Sequence, residues 1–213
     1  MNSEAFQAQL AGQAETLGVS VDSAALERMA AHQALLARWA PRVNLVGNPD
    51  PRVTLETHFL DSLALLRLLP EDANAWTDVG SGAGFPGAVL AAARPAHQWT
   101  LLEPLEKRVS FLTQVAAGMR ECGISVELGR TDGWTDRSQS ALISRAVLPP
   151  PRWMTECGRL LQGDGRAVLM TAHGPDEETQ QAAQAAGLVE EARDQLTLPG
   201  GAPRCNVLYR KEP

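Results

Sequence analysis

Cysteine is scarce in this chain. Its 213 residues include three, Cys122, Cys157 and Cys205, an odd number with no C-x-x-C pair. That excludes a disulfide scaffold and removes the usual signature of a structural metal or dithiol centre. No metal is expected, and the compartment implied is reduced and cytoplasmic. Long hydrophobic runs are missing too. The longest, Leu63–Leu69 (interrupted by Arg67) and Pro86–Ala93, fall far short of the roughly 18 residues a membrane helix needs. The amino terminus opens Met-Asn-Ser-Glu, without the positive region of a signal peptide, so no membrane partner is expected. Positive charge is in deficit: 19 Lys and Arg against 25 Asp and Glu give a net charge of −6 and a pI near 5.3. The broad basic footprint of a nucleic-acid binder is therefore lacking. Five Trp, four Phe and one Tyr leave few stacking platforms, and no Lys-Gly-Phe-Gly-Phe pattern of an RNA-binding sheet occurs. Repeats and low-complexity tracts are missing as well.

What is present is an ordinary globular composition, 44% hydrophobic and 21% charged, which excludes wholesale disorder. A chain of this length buries about 70% of its unfolded surface and needs no staples. It forms one domain, or one domain with an appendage. Charge is unevenly spread. Lys107–Arg159 carries eight basic against five acidic residues, and Leu160–Pro213 five against eight. The middle of the chain can thus present a positive face on an acidic protein.

The first 70 residues read as helices, each with one apolar stripe. Ser3 is expected to cap a helix carrying Phe6, Leu10 and Leu17 and stopped by Gly18. A longer helix opens near Asp22 or Ser23, shows Leu26, Met29, Ala30, Leu36 and Trp39, and must end before Pro41. Asn44–Pro51 is loop. A third helix runs from about Arg52, with Val53, Phe59, Leu63, Leu66 and Leu69, to Pro70. Then the period changes. Ala75–Val79, Gln98–Glu103, Ile124–Leu128, Ala141–Ser144 and Arg166–Thr171 are short apolar runs, most rich in β-branched or aromatic residues. Helical patterns at Pro86–Ala93 and Glu106–Met119 separate the first three, and others are expected at Pro151–Leu161 and Asp176–Ala186. Alternating strands and helices imply an α/β fold with a mostly parallel sheet. Val189–Leu196 and Cys205–Tyr209 break the alternation and read as a closing antiparallel hairpin.

The strongest local signal is Asp78-Val-Gly-Ser-Gly-Ala-Gly-Phe-Pro-Gly87, which follows one strand and opens a helix, as a ligand-binding glycine loop must. Gly80, Gly82 and Gly84 permit a tight turn and bare-backbone approach to a ligand. Two cofactor classes fit. From Gly82 the run satisfies the dinucleotide pattern G-x-G-x-x-G. From Asp78 it reads Asp-x-Gly-x-Gly-x-Gly, the pattern of S-adenosylmethionine-dependent methyltransferases. An acid at the strand end, Asp78, suits a ligand bearing ammonium and sulfonium groups better than a pyrophosphate. Glu103 ends the next strand, where a carboxylate meets ribose hydroxyls in either class. Asp132 follows the third strand, where an adenine amine can be met. A nicotinamide-dependent oxidoreductase, or a non-catalytic cofactor-binding regulator, remains open at this point.

Taken together, Asn44-Leu-Val, His58-Phe-Leu-Asp-Ser62, the glycine loop, Leu101-Leu-Glu-Pro-Leu-Glu-Lys-Arg-Val-Ser-Phe-Leu112 and Ser144-Arg145-Ala146 resemble the bacterial 16S ribosomal RNA guanine-N7 methyltransferases, historically called glucose-inhibited division protein B. The resemblance runs from about residue 26 to the end. It implies an S-adenosylmethionine-dependent, Rossmann-like methyltransferase domain over 71–213, preceded by a helical extension over 1–70. It implies methylation of a guanine in the decoding region of small-subunit RNA by a monomer, on naked 16S ribosomal RNA or on the small subunit. A methyltransferase with a different substrate is the alternative. Cofactor contacts fall on Gly80, Gly82, Phe85, Glu103, Pro104, Leu105, Thr131, Asp132 and Arg145. The chain departs from the family pattern at Asp132, where the family usually has Glu, at Thr57, where an arginine is common, and at His173, where lysine is frequent.

The chemistry asks little of side chains. N7 of guanine has an in-plane lone pair and no proton to lose, so attack on a methyl sulfonium needs no general base. Alignment, exclusion of water and tolerance of migrating charge suffice. No catalytic acid, base or nucleophile is therefore assigned. His58, Lys107, Arg108 and Arg145 are the candidate RNA contacts. For Lys107 and Arg108 an ordinary solvated helix face is the alternative, and for Arg145 a strand-end salt bridge. His58 and Asp61, three apart on a helix, can equally be a buried couple fixing the helical extension to the sheet.

Overall fold

The computed structural model describes residues 1–134 and 138–213. Seven strands form one sheet in the order β3-β2-β1-β4-β5-β7-β6: β1 (Ala75–Val79), β2 (Gln98–Glu103), β3 (Gly123–Leu128), β4 (Gln139–Ser144), β5 (Leu161–Thr171), β6 (Leu188–Thr197) and β7 (Pro203–Lys211). The first five are parallel, and β7 and β6 close the sheet antiparallel. This is the expected architecture, hairpin included. The order reverses beside β1, which lies between β2 and β4. In open α/β sheets that switch point opens a crevice at the strands' carboxyl ends.

The pleat sends alternate residues to opposite faces. Trp76 and Trp99 are in register on neighbouring strands and stack 6.1 Å apart. They join the core under α1 (Ser3–Thr16), α2 (Ser23–Trp39), α5 (Gly87–Ala93) and α6 (Glu106–Ala117). Val79, Leu102 and Leu142 face the other way, toward α7 (Pro150–Leu160) and α8 (Glu177–Ala185). The amino-terminal helices therefore share a core with one face of the sheet. Arg28 of α2 ties them down by donating to the Ala92 carbonyl near the end of α5. The three cysteines are buried and unpaired. Among the described residues no helix is long and apolar enough to cross a membrane.

Two expectations need correction. The first helix is capped by Asn2, whose side chain accepts from the Ala5 N–H, and Ser3 is its first residue. Both are good caps, so sequence alone does not fix the register. The third helix is not regular. It comprises α3 (Pro51–Thr54), a π-helical turn Leu55–Leu60, α4 (Asp61–Leu63) and a 3₁₀ turn Ala64–Arg67. Within it the Asp61 N–H bonds to the His58 carbonyl. The Thr57 carbonyl, its partner in a regular helix, accepts from Arg145 Nη1 at 3.1 Å. A tertiary donor thus competes with local helical bonding, which apolar periodicity cannot register.

Candidate functional site

The glycine loop leaves β1 and is stitched to β2, with the N–H groups of Gly80 and Ser81 both donating to the Leu102 carbonyl. Gly80 sits at φ +72°, a left-handed conformation that costs a side-chain-bearing residue roughly 1–2 kcal/mol. Two buried carboxylates organise the turn. Asp78 is fully buried and its Oδ2 accepts from the Gly87 N–H at 2.9 Å, anchoring the start of α5. Its Oδ1 is buried without a hydrogen-bond partner among the described residues, and burial raises its pKa to about 6. Glu103, 1% exposed, accepts from Gly82 N–H through Oε2 at 2.9 Å and from Leu105 N–H through Oε1 at 3.1 Å. A buried acid with an unused oxygen at a strand end is the mark of a site that expects a donor or a cation.

Above the loop lies a cleft of about 610 Å³, lined by Gly80, Pro104, Thr131, Asp132, Val147 and Arg152 among others. Four of the predicted cofactor residues thus face one space. Glu103 and Phe85 are buried and do not line it, Gly82 belongs to the loop that borders it, and Leu105 is exposed. Sequence reasoning missed Arg159. Its guanidinium donates to the carbonyls of Thr131 and Trp134 while pairing with Glu156, and so holds the turn that carries Asp132. No local sequence signal marks this contact.

A second cavity, about 470 Å³, adjoins the first and shares Val147 and Leu148 with it. Its polar wall is His58, Asp61, Arg145 and Arg204. Asp61, 3% exposed, accepts from Arg204 Nε at 2.6 Å and from Arg145 Nη1 at 3.4 Å. Arg145 Nη2 lies 3.0 Å from His58 Nδ1. A guanidinium can only donate, so that nitrogen is the acceptor and the imidazole proton sits on Nε2. The structure therefore unites two expectations. His58, Asp61 and Arg145 form a partly buried ion-pair network tying the helical extension to β4, and that network lines a cavity. Ala146 follows at φ +57°, an unusual conformation for a residue with a side chain. Of the remaining candidates, Arg108 donates to the Asn44 carbonyl, and Lys107 is exposed at the start of α6. His173, in the turn after β5, is exposed and lines neither cavity.

Phe85 is the hinge of an aromatic stack. His32 and His58 lie on it at 5.1 and 4.9 Å between ring centres, and the Arg145 guanidinium stands 5.4 Å from its centroid. His32 Nε2 bonds the Ala83 carbonyl at 2.8 Å and so carries the proton. Burial lowers its pKa from 6.5 to about 4. Its neutral form is favoured, so the stability it contributes is complete above pH 6.5 and is lost as pH falls toward 4. That loss is about 3 kcal/mol. His58, lowered to about 4 by burial and then by Arg145, acts in the same sense, and Asp78, being raised, opposes. In His32→Gln the amide can still donate to Ala83 but does not titrate. Its thermal midpoint is expected to fall less steeply than wild type between pH 6.5 and 4. Parallel curves in a pH series of thermal melts would dismiss this role.

Comparison with known proteins gives the family and the fold. A family model described as GidB, rRNA small subunit methyltransferase G, matches residues 25–202. The chain is 34% identical over 221 residues to the ribosomal RNA small subunit methyltransferase G of Myxococcus xanthus, covering 100% of both chains. It is 36% identical over 205 residues to the protein of that name from an Anaeromyxobacter species, covering 93% of this chain and 94% of the other. Among solved structures, the Burkholderia thailandensis 1,6-didemethyltoxoflavin-N1-methyltransferase matches with a TM-score of 0.61 and 14% identity, over 84% of this chain and 89% of that one. A TehB-like S-adenosylmethionine-dependent methyltransferase from Corynebacterium glutamicum matches at 0.54 and 16%, over 85% and 99%.

Proposed function

The chain belongs to the GidB family of small-subunit ribosomal RNA methyltransferases, and from that premise we propose that it transfers a methyl group from S-adenosylmethionine to N7 of a guanine in the decoding region of 16S ribosomal RNA. The observation that carries the reading is the cleft over the glycine loop, which gathers Gly80, Pro104, Thr131 and Asp132 on one space. Asp78, buried beneath the loop with one oxygen on the Gly87 N–H, supplies negative charge under it. The nicotinamide alternative loses its support once the family is known.

The residues present fit the donor along its length. Glu103 gives each oxygen to one backbone N–H and keeps lone pairs for ribose hydroxyls. Asp132, which lines the cleft with Thr131 and Pro104, is assigned to the adenine amine. Glu103, Pro104, Thr131 and Asp132 would hold the adenosine end, and the glycine loop at Gly80 the end that carries the methyl group. When bound, the donor supplies an electrophilic methyl group on a sulfonium. The protein's part is to orient it, to exclude water with Val147 and Leu148, and to leave N7 unprotonated. No proton moves. With the donor bound, its positive charge would move to the base, and buried Asp78 and Glu103 would supply negative charge beneath the loop. Residues 71–213 act as the donor-binding domain, and residues 1–70 as the extension that sets Phe85 and Arg145. His58, Lys107, Arg108 and Arg145 serve the RNA side. The protein works as a monomer in the cytoplasm, where small subunits are assembled.

The test is methyl transfer in vitro from labelled S-adenosylmethionine to naked 16S RNA, assembled small subunits and unrelated RNA, with the modified base identified by mass spectrometry. N7-methylguanosine in small-subunit RNA is expected. Label confined to another base or another RNA would replace this reading with the alternative substrate.

A further inference from the structure

The second cavity carries more charge than its own pairing accounts for. Its wall holds two guanidiniums, Arg145 and Arg204, against one carboxylate, Asp61. His58 is neutral as the acceptor of an Arg145 N–H, which leaves a surplus of one positive charge among the residues that line the cavity; the further carboxylate that Arg145 feels, Asp78, is buried outside that lining. Unbalanced charge in a part-buried wall is costly unless a partner arrives. Donors are also in excess. Arg204 uses Nε on Asp61 and Nη1 on the Pro203 carbonyl, which leaves three of its five N–H groups without a recorded acceptor among the described residues. Its side chain is 22% exposed, so those groups are reachable. Val147, Leu148 and Met170 supply apolar surface on the same cavity.

We propose that this cavity receives the target nucleotide, and that Arg204, held by Asp61 beside Arg145, binds its phosphodiester. This rests on the ribosomal RNA reading above and adds to it a binding residue from the closing hairpin. One monoanion balances the surplus charge, and a guanidinium fork matches two phosphate oxygens. The carboxylate of the methyl donor is the other monoanion within reach, and the strand order argues against it. Arg204, the second residue of β7, lines the second cavity and not the cleft above the glycine loop, and its strand lies three strands from β1. The Val147 and Leu148 walls shared by the two cavities let a base in one face a methyl group presented from the other.

The experiment measures affinity for 16S ribosomal RNA or small subunits, whichever the wild type methylates, over a series of potassium chloride concentrations, alongside calorimetry with S-adenosylmethionine. Arg204→Gln is expected to weaken RNA binding about tenfold or more. It should also make the slope of log K against log salt shallower by about 0.7–0.9, the loss of one phosphate contact. Donor affinity should stay within about twofold by the same reckoning. A merely structural arginine would leave the slope unmoved. Arg204→Lys keeps the charge and the pairing with Asp61, so it should fold and keep the slope. It should still bind RNA several-fold more weakly, because an ammonium cannot fork. If Arg204→Gln does not fold, this variant decides: wild-type RNA affinity in Arg204→Lys overturns the proposal. So does an unmoved slope in Arg204→Gln, or a loss that falls on donor affinity instead. A wild type that neither binds nor methylates ribosomal RNA overturns both readings. Normal wild-type methylation with an unmoved variant overturns this one alone.

Discussion

Gly80→Ala is expected to leave a folded protein whose affinity for S-adenosylmethionine has dropped by a hundredfold or more, about 2.7 kcal/mol. Two costs meet at this position. The first is backbone strain, since φ is +72° and alanine pays roughly 1–2 kcal/mol there, which a domain stable by about 5–15 kcal/mol survives. The second falls on the cleft. A Cβ on Gly80 would stand 2.3 Å from Val147 Cγ2, so Val147 must move. It is 44% exposed and lines the cleft, and the open direction is into the space the donor needs. Calorimetric titration of Gly80→Ala measures the loss. Shrinking the obstacle should undo it, so Gly80→Ala with Val147→Ala is expected to recover most of the affinity while keeping the lowered melting temperature. A double variant that stays as weak as the single one would show that the loop backbone, and not Val147, governs binding.

Legibility in the sequence followed the range of the interactions. β1 and β2 occupy Ala75–Val79 and Gln98–Glu103 as expected, because short apolar runs between turn signals leave few other options. β5 begins at Leu161, five residues earlier than expected. Its first half carries Gly163, Asp164 and Gly165, and there the local turn preference wins: only Leu161 pairs with β4, residues 162–165 fall in a register shift with Asp164 at φ +62°, and regular pairing resumes at Arg166, where the strand is expected from the sequence. The glycine loop was legible because a tight turn with bare backbone demands its residue type. What the loop's surroundings do was not. Glu103 suggested a ribose contact by position, but nothing in the sequence tells that it also holds the Gly82 N–H. Asp61 and Arg204 are 143 residues apart, and no periodicity links them. The π turn at Leu55–Leu60 was hidden for the same reason, since Arg145, which takes up the Thr57 carbonyl within it, lies 88 residues away.

Arg145→Lys is expected to lower methyl transfer to ribosomal RNA at least tenfold, and to lower the melting temperature by several degrees as well. From the sequence a binding arginine and a salt-bridging one are opposed readings; the structure shows the salt bridge and sets it in a cavity wall. The guanidinium donates to the Thr57 carbonyl, to Asp61 and to His58 Nδ1, and stands over Phe85. A lysine ammonium is a point donor that cannot meet all of these from one place. Asp61 keeps Arg204, so the buried carboxylate is not orphaned and the fold should survive. Each lost charge-assisted hydrogen bond is worth about 1.5–3 kcal/mol, and a stability change of 1 kcal/mol moves the midpoint of a domain this size by about 2–4 °C. Assays well below the new midpoint separate the two effects, because a folded variant with only a stability defect transfers methyl groups at the wild-type rate there. Loosened packing of Phe85 on the glycine loop should appear as weaker donor binding, and loss of a grip in the second cavity as a raised KM for RNA with donor affinity kept. Wild-type kcat/KM for both substrates at low temperature, together with a lowered melting point, would make Arg145 a brace between the helical extension and the sheet and nothing more.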